Sequence, residues 1–162
     1  MPITPFHFGP SATLALSLKK YLGLPIFILA NVVIDFEPLM VMIFHPNYPL
    51  HGFFHTFIGA IIIGSLWGIA AYFAKNFTAK MMKIFMLDYQ INLKLAITSG
   101  ILGFVFHIIL DSIMHPDIKP FYPSSYNPLF RIISVHDLYF LCMIFFIPAF
   151  VLYLFQTVKS RN

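Results

Sequence analysis

An all-α bundle embedded in a membrane, with four transmembrane helices preceded by an N-terminal half-helix, is the fold this sequence predicts. Three observations lead there. Of 162 residues, 59% are hydrophobic and only 10% are charged, whereas soluble domains carry about 25% charged residues. Mean hydropathy is +0.84. Four apolar stretches, 24–44, 52–74, 95–114 and 138–157, each reach about 30 Å at ~1.5 Å per residue, which matches the hydrocarbon layer of a bilayer. The length suits one domain over residues 1–162.

The elements follow in order. The N-terminus, Met-Pro-Ile-Thr-Pro-Phe-His, has no basic region and no cleavage site, so no signal peptide is expected. The apolar stretch 9–18 is too short to cross alone and ends in Lys19-Lys20. It reads as a half-helix that starts inside the bundle and ends at a basic surface. The first span carries Asp35 and Glu37. On an ideal helix these lie about 200° apart, and Pro38 disfavours helical geometry at the residue before it. Glu37 therefore joins Asp35 only if the helix breaks.

The second span has no charge, and Ala60, Gly64 and Gly68 form a small-residue stripe on it. Gly100 and Gly103 continue the stripe of His107 backwards on the third span. Both stripes allow close helix approach. Residues 80–94 suit an amphipathic surface helix. The Pro-rich loop 116–135 holds Tyr122 and Tyr126, which fit an interfacial aromatic belt. The fourth span is uncharged and contains the lone Cys142, a core thiol with no intrachain disulfide partner.

Charge orients the bundle. Lys19, Lys20, Lys75, Lys80, Lys83, Lys94, Lys159 and Arg161 fall on one side if the four spans alternate, leaving Lys119 and Arg131 on the other. The richer side is expected to be cytoplasmic, with both chain ends toward it, as in a prokaryotic inner membrane. A net charge of +4 confined to short loops speaks for orientation in a membrane rather than for nucleic-acid binding.

Against this apolar background the ionisable residues gather. Asp35-Phe-Glu37-Pro38, His51-Gly-Phe-Phe-His55 and His107-x-x-x-Asp111-x-x-x-His115 form three groups, and five of the six acidic residues lie in them or beside another histidine; Asp88 stands apart. Ionisable side chains within a membrane mark function by default. His and Asp at i, i+4 share a helix face and can grip one ion. Counted from the basic side at ~1.5 Å per residue, Asp35, His7, His107 and Asp111 lie roughly 16–25 Å up, with His55, His115 and His136 near the far surface, about 30 Å up. The donors are imidazole and carboxylate without thiolate, which suits Zn²⁺, Mn²⁺ or Fe. One or two divalent ions, most simply Zn²⁺, are expected, and Asp111 bridges them if there are two.

Phe6-His7-Phe8-Gly9-Pro10, Asn31-x-x-x-Asp35-x-Glu37-Pro38, Pro49-Leu50-His51-x-x-x-His55-Thr56 and His107-x-x-x-Asp111-Ser112-x-x-His115-x-Asp117-x-x-Pro120-Phe121 occur in that order over roughly residues 5 to 130. This set resembles the YdjM-like (LexA-regulated) family of membrane-bound metal-dependent hydrolases, which is distantly similar to zinc-dependent phospholipase C and the single-strand zinc nucleases. The resemblance implies His7, Asp35, one or both of His51 and His55, His107 and Asp111 as metal ligands. The soluble relatives add a later His-x-x-x-Glu pair; here His136 is followed by Phe140. His115 joins the ligand set by its spacing from Asp111.

The function expected is hydrolysis of a phosphoester in a membrane lipid by a metal-activated water, with Glu37 or Asp117 as general base and Arg131 neutralising the leaving phosphate. The alternative is a non-enzymatic membrane protein that binds or conducts a metal, or a structural subunit, through the same site.

Overall fold

The computed structural model describes residues 5–159; Arg161, counted above with the basic side, lies outside the described residues. Among these the chain is all helical, without strands. The helices are α1 (Phe8–Ser17), α2 (Leu24–Ile34), α3 (Phe36–Phe44), α4 (Phe57–Phe73), α5 (Lys75–Ile84), α6 (Leu93–Met114), α7 (Val135–Ile144) and α8 (Phe146–Lys159), with short 3₁₀ turns at Pro5–His7 and Phe53–His55.

Two prolines set the two breaks. Pro38 has no N–H to give the Ile34 carbonyl, and its ring crowds that carbonyl. Accordingly α2 ends at Ile34 and α3 begins at Phe36. Pro148 does the same to Ile144, and α7 passes to α8 at Phe145. There the Phe145 carbonyl, which also accepts from Ala149 N at 3.2 Å, accepts a hydrogen bond from the Thr13 hydroxyl at 2.7 Å, tying α8 to α1. Helix starts are capped where the sequence supplies a cap. Thr56 accepts from Gly59 N, Asn92 from Leu95 N and Ser134 from Asp137 N.

Helix α6 is the centre. It packs against α4 and α2, while α1 packs against α8 and α2. Ala30, Ile34, Ala60, Phe104 and Ile108 are fully buried between α2, α4 and α6. The α4–α6 seam is built from glycine: a Cβ on Gly64 would come within 2.8 Å of the Ile101 Cα, and one on Gly68 within 2.5 Å of the Ala96 carbonyl. The outer surface is apolar: Ile61, Leu66, Phe150 and Phe155 are exposed, while His7, Asp35, Glu37, His51, His55, His107 and Asp111 are buried. That distribution suits a lipid surround.

Among the described residues three helical stretches are long and apolar enough to cross a membrane, Leu24–Phe44, Leu93–Met114 and Val135–Lys159, and the bent pair Phe57–Phe73 with Lys75–Ile84 makes a fourth if it is one span. The second expected span, 52–74, is shorter than read from sequence. Its helix starts at Phe57, because residues 51–56 form a loop and a 3₁₀ turn ahead of the Thr56 cap, and at Ala74 the chain bends by 75° into α5. The amphipathic surface helix expected over 80–94 is likewise displaced. Helix α5 covers Lys75–Ile84, Met86 takes a positive φ of 55° that ends it, and Lys94 belongs to α6.

The glycine seam predicts that Gly68→Val destabilises the bundle by about 1–3 kcal/mol through overpacking. Unfolding of the detergent-solubilised protein should shift to lower temperature or denaturant, whereas Ile61→Val on the exposed face of α4 should leave the midpoint in place.

Candidate metal centre

Four elements deliver ionisable side chains to one point. His7 ends the first 3₁₀ turn, Asp35 sits at the α2–α3 break, His55 ends the second 3₁₀ turn, and His107 and Asp111 lie one turn apart on α6. All five are 3% exposed or less. His107 Nε2 lies 3.1 Å from Asp111 Oδ2 and 3.3 Å from Asp35 Oδ1. His55 Nε2 is 4.0 Å from Asp35 Oδ1. His7 closes the ring, with Nε2 3.4 Å from Asp111 Oδ1 and Nδ1 3.4 Å from His107 Nδ1.

Glu37 stands behind His55, and the broken helix is what brings it there. Its carboxylate accepts from His55 Nδ1 at 2.8 Å, from Gly52 N at 3.0 Å, from Phe54 N at 2.9 Å and from the Tyr48 hydroxyl at 3.0 Å. With Nδ1 donating to Glu37, His55 presents a lone pair at Nε2. That atom and Asp111 Oδ1 are buried without a hydrogen-bond partner. Glu37 was expected as a general base. With both oxygens engaged by four donors, it instead orients His55 and pins residues 52–54.

A divalent ion fits this donor set. Asp35, His55, His107 and Asp111 each offer one atom, and the four atoms lie within 4.8 Å of one another. Ligands around a tetrahedral ion at ~2.1 Å sit about 3.4 Å apart. The carboxylate behind His55 is the outer partner that metal-bound imidazoles ordinarily have. Burial, with the His107 ring beside it, holds the His7 imidazole down to about 3. It is therefore in the neutral form that can donate a lone pair.

A second group lies next to the first. His51, His115 and Asp117 bring ligand atoms within 4.8 Å of one another. His51 Nδ1 hydrogen-bonds Asp117 Oδ2 at 2.8 Å. The His51 ring centroid is 4.5 Å from that of His115 and 4.8 Å from that of His55. Burial, reinforced by His51, lowers the pKa of His115 below the ordinary histidine value. Burial would raise the Asp117 carboxyl, but the hydrogen bond and charge of His51 outweigh it and leave Asp117 lowered.

A cleft of about 330 Å³ opens here, lined by Tyr48, His51, Asp117, Lys119 and Tyr122 among others. The loop that carries Asp117 and Lys119 is tied to the start of α4 by Phe57 N donating to the Pro120 carbonyl at 2.9 Å. The turn at His115 is held by Asn127, whose amide donates to the Ser112 carbonyl at 2.9 Å.

Three sequence expectations are thus redistributed. His51 and His55 were read as an i, i+4 pair; they sit on a loop and a 3₁₀ turn and serve different groups. His115 is expected with Asp111 from its spacing; it groups with His51 and Asp117. Arg131 was expected to meet phosphate; it is exposed, with its guanidinium over the Phe130 ring, and Lys119 is the cation that lines the cleft. His136 is exposed and contacts Asp137 at 3.6 Å, apart from both groups. Tyr48 and Asn127 escaped sequence reasoning, because nothing in their local pattern distinguishes them from loop residues.

Comparison of the chain with family models, with curated proteins and with solved structures gives no match.

His107→Ala and Asp111→Asn are expected to abolish metal retention by the buried group, read by elemental analysis of purified protein. Glu37→Gln should keep the fold but weaken metal affinity by about 10–100-fold, since it alters the partner of a ligating imidazole. Unchanged affinity in Glu37→Gln would detach Glu37 from the centre.

Proposed function

We propose that this chain is a membrane-embedded, metal-dependent hydrolase that cleaves a phosphoester bond in a lipid headgroup, in line with its resemblance to the YdjM-like family. The observation that carries the reading is the buried Asp35–His55–His107–Asp111 group, whose ligand atoms lie within 4.8 Å of one another, with His55 Nε2 and Asp111 Oδ1 buried and without a hydrogen-bond partner. In an apolar bundle such a group is costly unless a cation neutralises it.

When bound, a divalent ion, most simply Zn²⁺, supplies Lewis acidity and a water activated for attack near neutral pH. The residues of the chain do the rest. Asp35, His55, His107 and Asp111 hold the ion, His7 stands beside them against Asp111, and Glu37 fixes the His55 tautomer. The adjoining cleft receives the headgroup, where the Lys119 ammonium meets phosphate charge and the Tyr48 and Tyr122 side chains wall the entry. In the overall reaction a water oxygen bonds to phosphorus, the phosphorus–oxygen ester bond breaks, and the departing alkoxide takes up a proton.

The setting we propose is the plasma membrane of a prokaryote, with four spans once the bent α4–α5 pair is counted as one. Both chain ends lie toward the cytoplasm, and the cleft opens toward the outer leaflet. The support is the clustering of Lys residues at the end of α1 and around α5, away from His7 at the other end of α1. A second reading draws on the closure of the buried group: a four-ligand site with no open position is typical of a structural ion. On that reading the protein binds metal without catalysis.

Metal-loaded protein is expected to hydrolyse one or more members of a panel of phospholipids and polyprenyl phosphates. His107→Ala should lower turnover by several orders of magnitude, as loss of the main transition-state charge stabiliser does. Absence of turnover above the His107→Ala control across the panel would leave the structural reading standing. For orientation, single cysteines placed at Ala79 and Ser124 in a Cys142→Ala background should label from opposite faces. Labelling of both from one face would exclude the four-span arrangement.

A further inference from the structure

Two groups of ligand-type side chains lie side by side, and they differ in how closed they are. The buried group has four donors, none more than 3% exposed, and His7 beside them. The neighbouring group has three: His51, 6% exposed; His115, half-buried; and Asp117, whose side chain is 42% exposed. Two imidazoles and one carboxylate, with the remaining side open to a cleft, is the ligand count of a metal site that keeps a position for water or substrate.

We propose that His51, His115 and Asp117 hold a second divalent ion at the mouth of the cleft, exchangeable and separate from the ion of the buried group. The three come from distant parts of the chain. His51 is on the loop after α3; His115 and Asp117 follow α6. They are nevertheless built into place. His51 is positioned through the backbone of Gly52, which Glu37 holds at 3.0 Å. His115 N donates to the Asp111 carbonyl at 2.9 Å, and Asn127 braces the same turn.

A hydrogen-bonded His–Asp pair would need two of these residues. It gives no reason for the His115 ring to stand 4.5 Å from the His51 ring at 38°. Two imidazoles and a carboxylate sharing one ion give that reason.

The two sites divide the work by their openness. The inner ion, held by four buried donors, is the one that would stabilise charge in the proposed reaction. The outer ion, held by three donors, faces the 330 Å³ cleft with Lys119 and Tyr122, where it would meet a phosphate oxygen of the same headgroup. Asp117 is then a ligand rather than a base. An ion at the outer group requires nothing of the inner one; only its part in hydrolysis rests on the proposed function.

The test is metal stoichiometry on the full-length, detergent-solubilised chain, stripped with chelator and then equilibrated with Zn²⁺ or Co²⁺. Wild type is expected to bind two ions, one of them released first to a mild chelator. His115→Ala and Asp117→Asn should each bind one ion and lose the readily released fraction, with Co²⁺ absorption reporting the change in ligand field. Both residues are partly exposed, so in the chelator-stripped state their variants should unfold at the wild-type midpoint. His107→Ala should lose the slowly released ion and keep the fast one. One ion in wild type, unchanged in His115→Ala and Asp117→Asn and absent in His107→Ala, would overturn the outer site and leave the proposed inner site intact. One ion in wild type, lost in Asp117→Asn and retained in His107→Ala, would sink the inner site while the outer one stands. Two ions in His115→Ala and in Asp117→Asn would overturn the proposal outright.

Discussion

The four hydrogen bonds that converge on the Glu37 carboxylate join two segments that sequence alone leaves unrelated: the start of α3 and the turn over residues 51–55. Hydrogen bonds to a charged acceptor contribute about 1.5–3 kcal/mol each, more than neutral ones. Here they also satisfy two backbone N–H groups, those of Gly52 and Phe54. Without this contact Gly52 and Phe54 have no acceptor, and the His51–His55 segment has no reason to fold back over the α2–α3 break. Tyr48 doubles the tie, because its hydroxyl also accepts from Phe53 N at 2.7 Å.

The contact exists because of Pro38. A continuous helix would send Glu37 away from Asp35. By denying the Ile34 carbonyl its usual donor, Pro38 ends α2 there and restarts the helix with Glu37 in its first turn. Asp35, at the junction, turns toward His107 and His55, while Glu37, two residues on, reaches the imidazole of His55 from behind. One backbone break thus yields an inner carboxylate that faces the ligand point and an outer carboxylate that orients a ligand. At the Pro148 break there is no such carboxylate, and the contact made beside it is that of the Thr13 hydroxyl with the Phe145 carbonyl. A proline break supplies opportunity, and the neighbouring residue types decide what is made of it.

How much of this was legible in the sequence follows from the range of each interaction. The apolar spans and the α6 pair His107–Asp111 are local patterns, readable from composition and from the i, i+4 rule, and the structure has them 3.1 Å apart. The half-helix ending at Lys19 was readable for the same reason, from its length and its basic end; it is α1, Phe8–Ser17. The i, i+4 rule misled at His51 and His55. Their spacing is equally compatible with a loop, and the capture of Gly52 and Phe54 by Glu37, 15 and 17 residues away, decides for the loop. The His51–Asp117 pair spans 66 residues. No periodicity carries such information, so Asp117 could be singled out by residue type but not given a partner. The conditional reading of Glu37 was resolvable only by knowing whether the helix breaks.

The glycine seams complete the logic, because short side chains can share an ion only if backbones come close. Aspartate has one methylene between backbone and carboxylate. For Asp35 on one element and Asp111 on another to flank the same imidazole, α2 and α6 must nearly touch. Gly103, one turn before His107, permits this: a Cβ there would stand 2.5 Å from the Ala30 Cβ and 2.8 Å from the Phe27 carbonyl. Gly64 and Gly68 do the same for α4 against α6 and so fix where Thr56, at the head of α4, and His55 before it arrive. Helices in lipid gain little from apolar contact and associate through close van der Waals packing of small residues. The packing that assembles the bundle is therefore also what sets the distances between the donors, and a change in a seam a turn or more away would be felt as a change in their separation.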